Sequence, residues 1–303
     1  MQAGANARAQ PRSGGMAPSV SILDIRTLFR HFGVRMSQFK TDRPGHFGKI
    51  TRYQSGVFDI ICSTSPDFRE PDWELADAWA QPKAKPKQEP TDKPKRSDMD
   101  EAHAEDMERS MRRARAKVRR IALSNDFRWF VTLTLDPTRI DRYDVGEVVK
   151  KLSQWCSNQV KRRGLRYILV PERHKDGALH FHGFFSDAME AVASGHRDKG
   201  GRMIYNLPQW TLGFTAAIEL YGDYAGAVAY VCKYIGKQGD KPAGRWYYSG
   251  GALQEPAVEY VDNINAEALK EVFGNKIWST YVPGRRITCV NGIKGGSYGK
   301  EDR

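Results

Sequence analysis

Ala178-Leu179-His180-Phe181-His182-Gly183-Phe184-Phe185 carries two histidines two positions apart in an otherwise apolar run. Side chains along a strand alternate between faces, so His180 and His182 share one face and Leu179, Phe181 and Phe185 take the other, toward the core. Just upstream, Arg166-Tyr167-Ile168-Leu169-Val170-Pro171-Glu172 reads as a second strand, with Lys175-Asp176-Gly177 as the hairpin turn. A pairing centred on Asp176 sets Glu172 opposite His180, and cross-strand partners point to the same face. Two imidazoles and a carboxylate then converge as a mixed nitrogen and oxygen donor set for one divalent cation. A His-x-His pair alone is equally compatible with two surface or core-edge histidines; the facing Glu172 and the later part of the chain favour the metal reading.

The 303 residues suffice for one sizeable domain with extensions or for two small ones. A net charge of +12 asks for an anionic partner, nucleic acid or an anionic membrane surface. No apolar run approaches the roughly 20 residues of a membrane span. The first 18 residues are rich in Ala, Gly and Arg without the apolar core of a secretion signal. Cys62, Cys156, Cys232 and Cys289 are scattered, with no C-x-x-C pair, which argues against a disulfide framework or a cysteine zinc site. The expected setting is the reducing cytoplasm.

Residues 1–18 are expected to be disordered. Residues 19–80 read as a small accessory segment of unassigned role, with Ile22, Ile25, Leu28 and Phe29 at helical spacing and a strand at Val57–Ile61. Residues 81–103 read as a Pro/Lys-rich linker, 104–248 as the main domain and 249–303 as a C-terminal extension. At the head of the main domain Arg109, Arg112, Arg113, Arg115, Lys117, Arg119 and Arg120 put seven cations among twelve residues with no acid. Met111, Ala114, Val118, Ile121 and Ala122 give that helix its apolar stripe. Such a run is either a solvated face or a phosphate contact, and the missing counter-charge favours phosphate.

Trp129 to Leu135 alternates as a half-buried strand ended by Asp136-Pro137. A helix follows, capped by Asp144, closed by Gly164, and carrying Val148, Leu152, Trp155, Cys156 and Val160 on one face. After the histidine hairpin come a charged, Gly-rich loop (Gly195 to Arg202) and a strand near Phe214 to Leu220. The order β-α-β-β-β-α predicts an α+β fold, an antiparallel central sheet with flanking helices on one face.

A last helix, Gly222 to Lys237, clusters Val228, Val231, Cys232 and Ile235 on one side and Tyr230, Lys233, Tyr234 and Lys237 on the other. Tyrosines on helices commonly pack at a core edge, yet here the aliphatic side already supplies the core face. A phenol needs help losing its proton, and a neighbouring ammonium favours the phenolate and can neutralise a phosphate oxygen.

His180-Phe181-His182 resembles the HUH motif of HUH endonucleases. Tyr230-x-x-Lys233-Tyr234-x-x-Lys237 resembles the third motif of two-tyrosine rolling-circle replication initiators (Rep proteins) of phages and plasmids. Phe130 to Pro137 is similar to their first motif, and Gly244-Arg245-Trp246-Tyr247-Tyr248 looks like the segment after their catalytic helix. The likeness spans roughly Arg109 to Tyr248, with three motifs in the family's order. It implies a split βαβ, RRM-like palm in which Glu172, His180 and His182 hold one Mg²⁺ or Mn²⁺. It further implies attack by Tyr230 or Tyr234 on single-stranded DNA at a replication origin, a 5′-phosphotyrosine link and a free 3′-hydroxyl primer, with Lys233 and Lys237 positioning phosphate. Host helicase and polymerase would then be partners in a bacterial cytoplasm, since Gly295 to Lys300 falls one residue short of a phosphate loop. The alternatives are a transposase or relaxase of the same superfamily, a metal-dependent hydrolase using water, and a non-catalytic DNA- or RNA-binding module. His174 near the turn and His196 in the charged loop are set aside as solvated residues.

Overall fold

Alternating side chains sort the strands of the computed structural model into two antiparallel sheets. The structure describes residues 47–64 and 96–294, apart from positions 238, 263, 265–268, 271–272, 275–276 and 283–284. The readings placed on 1–18, on Ile22 to Phe29, on the linker up to 95 and on Gly295 to Lys300 lie outside the described residues. In chain order the strands are β1 (Phe47–Arg52), β2 (Val57–Ser63), β3 (Trp129–Leu135), β4 (Tyr167–Arg173), β5 (Leu179–Phe185), β6 (Val192–Arg197), β7 (Met203–Asn206), β8 (Gly213–Glu219), β9 (Tyr248–Gly250), β10 (Ala257–Asp262), β11 (Ile277–Val282) and β12 (Arg285–Lys294). The helices among the described residues are α1 (Arg96–Leu123), α2 (Val145–Arg163) and α3 (Tyr224–Tyr234).

The larger sheet runs β6-β7-β8-β3-β5-β4-β9, and its α+β character is the one expected. Its odd-numbered inward residues, Leu133, Leu169, Phe181 and Phe185, pack with Val148, Leu152, Trp155 and Cys156 of α2. Its even-numbered residues Ile168, Val170 and Phe184 pack with Val118 and Ile121 of α1 and with Val228, Val231 and Ile235 of α3. Helices therefore cover both faces, not one. The cause is local: β4 and β5 are apolar at consecutive positions, so each face needs its own cover. A fully buried Phe or Leu contributes about 1.5–3 kcal/mol, which makes both layers substantial.

The ends of α2 are as read. Asp144 accepts a hydrogen bond from the Glu147 amide at 3.0 Å, and Gly164 turns left-handed at φ 68°. Val160 is only half-buried. Two local readings change. Residues 195–202, read as loop, lie in the β6–β7 hairpin, where Asp198 accepts from the amides of Gly200 and Arg202. Helix α3 is capped by Asp223 and stops at Tyr234, where Ile235 turns extended and Gly236 adopts φ 75°. Lys237 therefore lies beyond the helix.

The smaller sheet runs β10-β1-β2-β12-β11. The accessory segment and the C-terminal extension, distant in sequence, thus share one sheet, in which Ile50, Phe58, Ile60, Val290 and Ile293 form a common core. Two strands alone bury too little apolar surface to stand by themselves. Helix α1 joins this sheet to the larger one: Arg119 Nη2 donates to Asp59 Oδ1 at 2.9 Å, and Lys117 and Arg120 pair with Glu255. Its first turns occupy 96–103, the end of the stretch read as linker.

Candidate metal centre and tyrosine pair

Strand pairing alone assembles the cluster. Glu172 lies directly opposite His180 across β4 and β5, while Thr132 and Thr134 of β3 face His182 and His180 from the other side. Glu172 Oε2 is 3.0 Å from His180 Nε2 and 2.9 Å from His182 Nε2, and the two Nε2 atoms are 3.0 Å apart. Glu172 and His182 are buried, with His180 nearly so. Two imidazole lone pairs and a carboxylate oxygen this close repel one another unless a proton or a cation sits among them. Such a donor set suits a divalent ion. His182 Nδ1 is 3.1 Å from Thr132 Oγ1; with its proton directed at the hydroxyl, that ring presents Nε2 to the cluster.

The electrostatics agree. Burial, reinforced by the neighbouring His180, lowers the His182 pKa to about 4, so its imidazole is neutral at physiological pH. Burial would raise the Glu172 carboxyl, but hydrogen bonds from His180 and Lys237 and the adjacent positive charges outweigh it and hold the group below the usual glutamate range. Lys237 Nζ donates to Glu172 Oε1 at 2.6 Å, and this bond raises the lysine pKa.

The tyrosines of α3 face this cluster. The Tyr234 ring stacks on His182 with centroids 4.2 Å apart and 15° between planes. The Tyr234 hydroxyl donates to that of Tyr230 at 2.7 Å. Burial and the contact with Tyr230 raise the Tyr234 pKa, so this phenol holds its proton firmly. Tyr230 is half-exposed, its ring edge against Phe130 of β3 at 5.9 Å.

Glu172, His180, His182, Tyr230, Tyr234 and Lys237 are thus brought together. Lys233 is exposed and touches none of them among the described residues. His174 sits 5.6 Å from the His180 ring, exposed and paired with Asp176, and His196 is exposed on β6. The cations of α1 are not an uncompensated stripe. Arg109 pairs with Glu105 and Asp106, Arg112 with Glu108, Arg119 with Asp59, and Lys117 and Arg120 with Glu255; Arg115 donates to the Ile235 carbonyl. Arg113 faces solvent. The counter-charges come from the preceding helical turn and from chain segments far away, which a window of twelve residues does not contain. Thr132 and Phe130 join the site without having been singled out from the sequence, although their even spacing along β3 puts them on the histidine face.

Fold and cluster together define an α+β protein with a carboxylate–imidazole centre facing paired phenols. Residues 128–239 match the family model for replication-associated proteins of the ORF2 type, which supports a replication-initiator family for this segment and a role with DNA in replication. No curated protein and no solved structure matches the chain. No helix among the described residues is long and apolar enough to cross a membrane.

Proposed function

We propose that this chain is a rolling-circle replication initiator of the HUH class, a metal-dependent endonuclease that nicks single-stranded DNA at an origin and rejoins it by strand transfer. The observation that carries the proposal is the Tyr234 ring stacked on His182 with its hydroxyl bonded to that of Tyr230. Two candidate nucleophiles thereby share one side of a donor set fit for Mg²⁺ or Mn²⁺.

Glu172, His180 and His182 would hold the ion, and Thr132 fixes the His182 ring. The bound ion would supply Lewis-acid polarisation of the scissile phosphate. Tyr230, the exposed phenol, attacks the phosphorus first. Its O–P bond forms as the bond to the 3′ oxygen breaks, leaving a 5′-phosphotyrosine; the departing oxygen takes a proton and becomes the 3′-hydroxyl primer. Tyr234 keeps its proton through the first cut and serves the second, when the regenerated junction is cleaved and the free 3′-hydroxyl rejoins the ends. Lys237 positions a phosphate oxygen beside Glu172. Holding the phosphodiester energy in the tyrosine ester allows rejoining without ATP. Host helicase and polymerase complete the replication cycle.

The test is to incubate the protein with Mn²⁺ and a labelled single-stranded origin oligonucleotide, then run denaturing gels. A covalent adduct that survives SDS and is lost in the Tyr230→Phe/Tyr234→Phe double variant is expected. Cleaved DNA without an adduct would instead indicate a water-using hydrolase, and binding without cleavage a non-catalytic module.

A further inference from the structure

On the face opposite the metal cluster, a groove of about 780 Å³ opens between α2 and residues 241–249 at the β4–β9 edge of the sheet. Its cations are Lys161, Lys241 and Arg245, and no carboxylate lines it. That is unusual in this protein. Elsewhere the arginines and lysines of the surface pair with acids, as in Arg128 with Asp187 and Glu219, Arg142 with Asp176, and Arg202 with Asp198. Lys161, Lys241 and Arg245 have no carboxylate partner among the described residues. Lys241 lies instead over the Trp246 ring at 5.6 Å and Arg245 over Tyr248 at 5.9 Å, while Tyr247 and Tyr167 complete an aromatic wall. Three uncompensated cations interleaved with flat rings match a chain of phosphates bearing flat bases.

The groove also connects to the cluster. Strand β4 carries Glu172 near one end and Tyr167 at the other, about 17 Å apart at 3.3–3.4 Å per residue. Arg173 donates to the Pro242 carbonyl at 3.1 Å, which pins the start of the groove wall beside the cluster. We infer that this groove is a second nucleic-acid site, taking several nucleotides of single-stranded DNA that lie away from the phosphate at the metal cluster. Binding there depends on charge and stacking rather than on any tyrosine chemistry. It goes beyond the nicking reading and does not require it.

The test compares the Lys161→Ala/Lys241→Ala/Arg245→Ala variant with a control lacking three other exposed cations, Lys150→Ala/Arg197→Ala/Lys199→Ala. Binding of a fluorescent 20-nucleotide single strand is followed across a salt series. The groove variant is expected to bind roughly tenfold more weakly, with a log–log salt slope shallower by about 2, three phosphates each contributing about 0.7; the control changes far less. A single strand carrying 5-iodouracil should crosslink to Tyr247 or Tyr248 of the unaltered protein, a readout that does not depend on how the variant folds. Equal weakening in both variants, or no crosslink within residues 241–249, overturns the inference. So does full competition by dTMP at equal nucleotide concentration, which would make the groove a free-nucleotide site. Adduct formation on a six-nucleotide strand reaching only the cluster separates the two readings. If no adduct forms but the groove variant binds weakly, nicking fails alone; if the adduct forms and the variant binds normally, the groove fails alone.

Discussion

Lys237 Nζ sits 2.6 Å from one oxygen of Glu172 while the other oxygen of the same carboxylate faces both histidines. One carboxylate thus joins the helix-end lysine to the imidazole pair. Lys237 reaches it because Gly236 turns the chain out of the helix at φ 75°.

Replacing this lysine separates metal binding from phosphate handling. In Lys237→Ala the three donors remain and a cation beside the bound ion disappears, so Mn²⁺ affinity is expected to hold or rise. The adduct rate should fall by about 10- to 100-fold, as for loss of a charged contact made to the reacting group. Calorimetric Mn²⁺ titration and single-turnover gels measure the two effects. A large drop in metal affinity would contradict this division of labour.

Thr132 holds His182 without belonging to the donor set. Thr132→Val keeps the shape and removes the hydroxyl, and Mn²⁺ affinity should weaken by about 10- to 100-fold, the usual effect of losing a ligand's hydrogen-bonded support. Thr132→Ser should restore it. Unchanged binding in the valine variant would show that the ring is fixed by packing against Tyr234 alone.

Gly183 follows the second histidine, and a Cβ there would collide with the Ile168 carbonyl oxygen across the β4–β5 ladder. The obstacle is backbone, so it cannot swing aside. Gly183→Ala is expected to cost about 3 kcal/mol or more and to lower the melting temperature by several degrees. A melting curve superimposable on that of the parent protein would refute the close approach.

The metal-free protein should lose stability as pH falls. His182 is neutral in the fold down to about 4 but protonates near 6.5 when unfolded, so the unfolded chain binds the extra proton first. The contribution of the neutral imidazole, about 3 kcal/mol, is therefore complete above pH 6.5 and is lost progressively toward pH 4. Denaturant titrations in chelator, compared with His182→Asn, should show a shallower pH dependence in the variant. Parallel profiles would count against a buried neutral histidine.

Much of the site was legible because its geometry is local. The turn at Asp176 and the two-residue period of a strand place Glu172 opposite His180 with no knowledge of the rest of the chain. The spacing of Tyr230 and Tyr234 likewise sets both phenols on one side of a helix. Helix α2 could be read with its caps for the same reason, since Asp144, Gly164 and the apolar period between them act within a few turns.

What the linear chain did not display depends on contacts between distant segments. The pairing of β2 with β12 joins residues more than two hundred positions apart, and no short-range pattern names such a partner. The acids that neutralise Arg119, Lys117 and Arg120 come from Asp59 and Glu255, so charge counted over a window overstated the free basic surface. By itself, then, the sequence determined which donors share a strand face and which phenols share a helix side, because backbone periodicity decides both. Only the tertiary structure decided that those two sets meet, that Lys237 turns back to Glu172, and that three cations beside α2 lack acidic partners, because each of these follows from packing helices on both faces of one sheet.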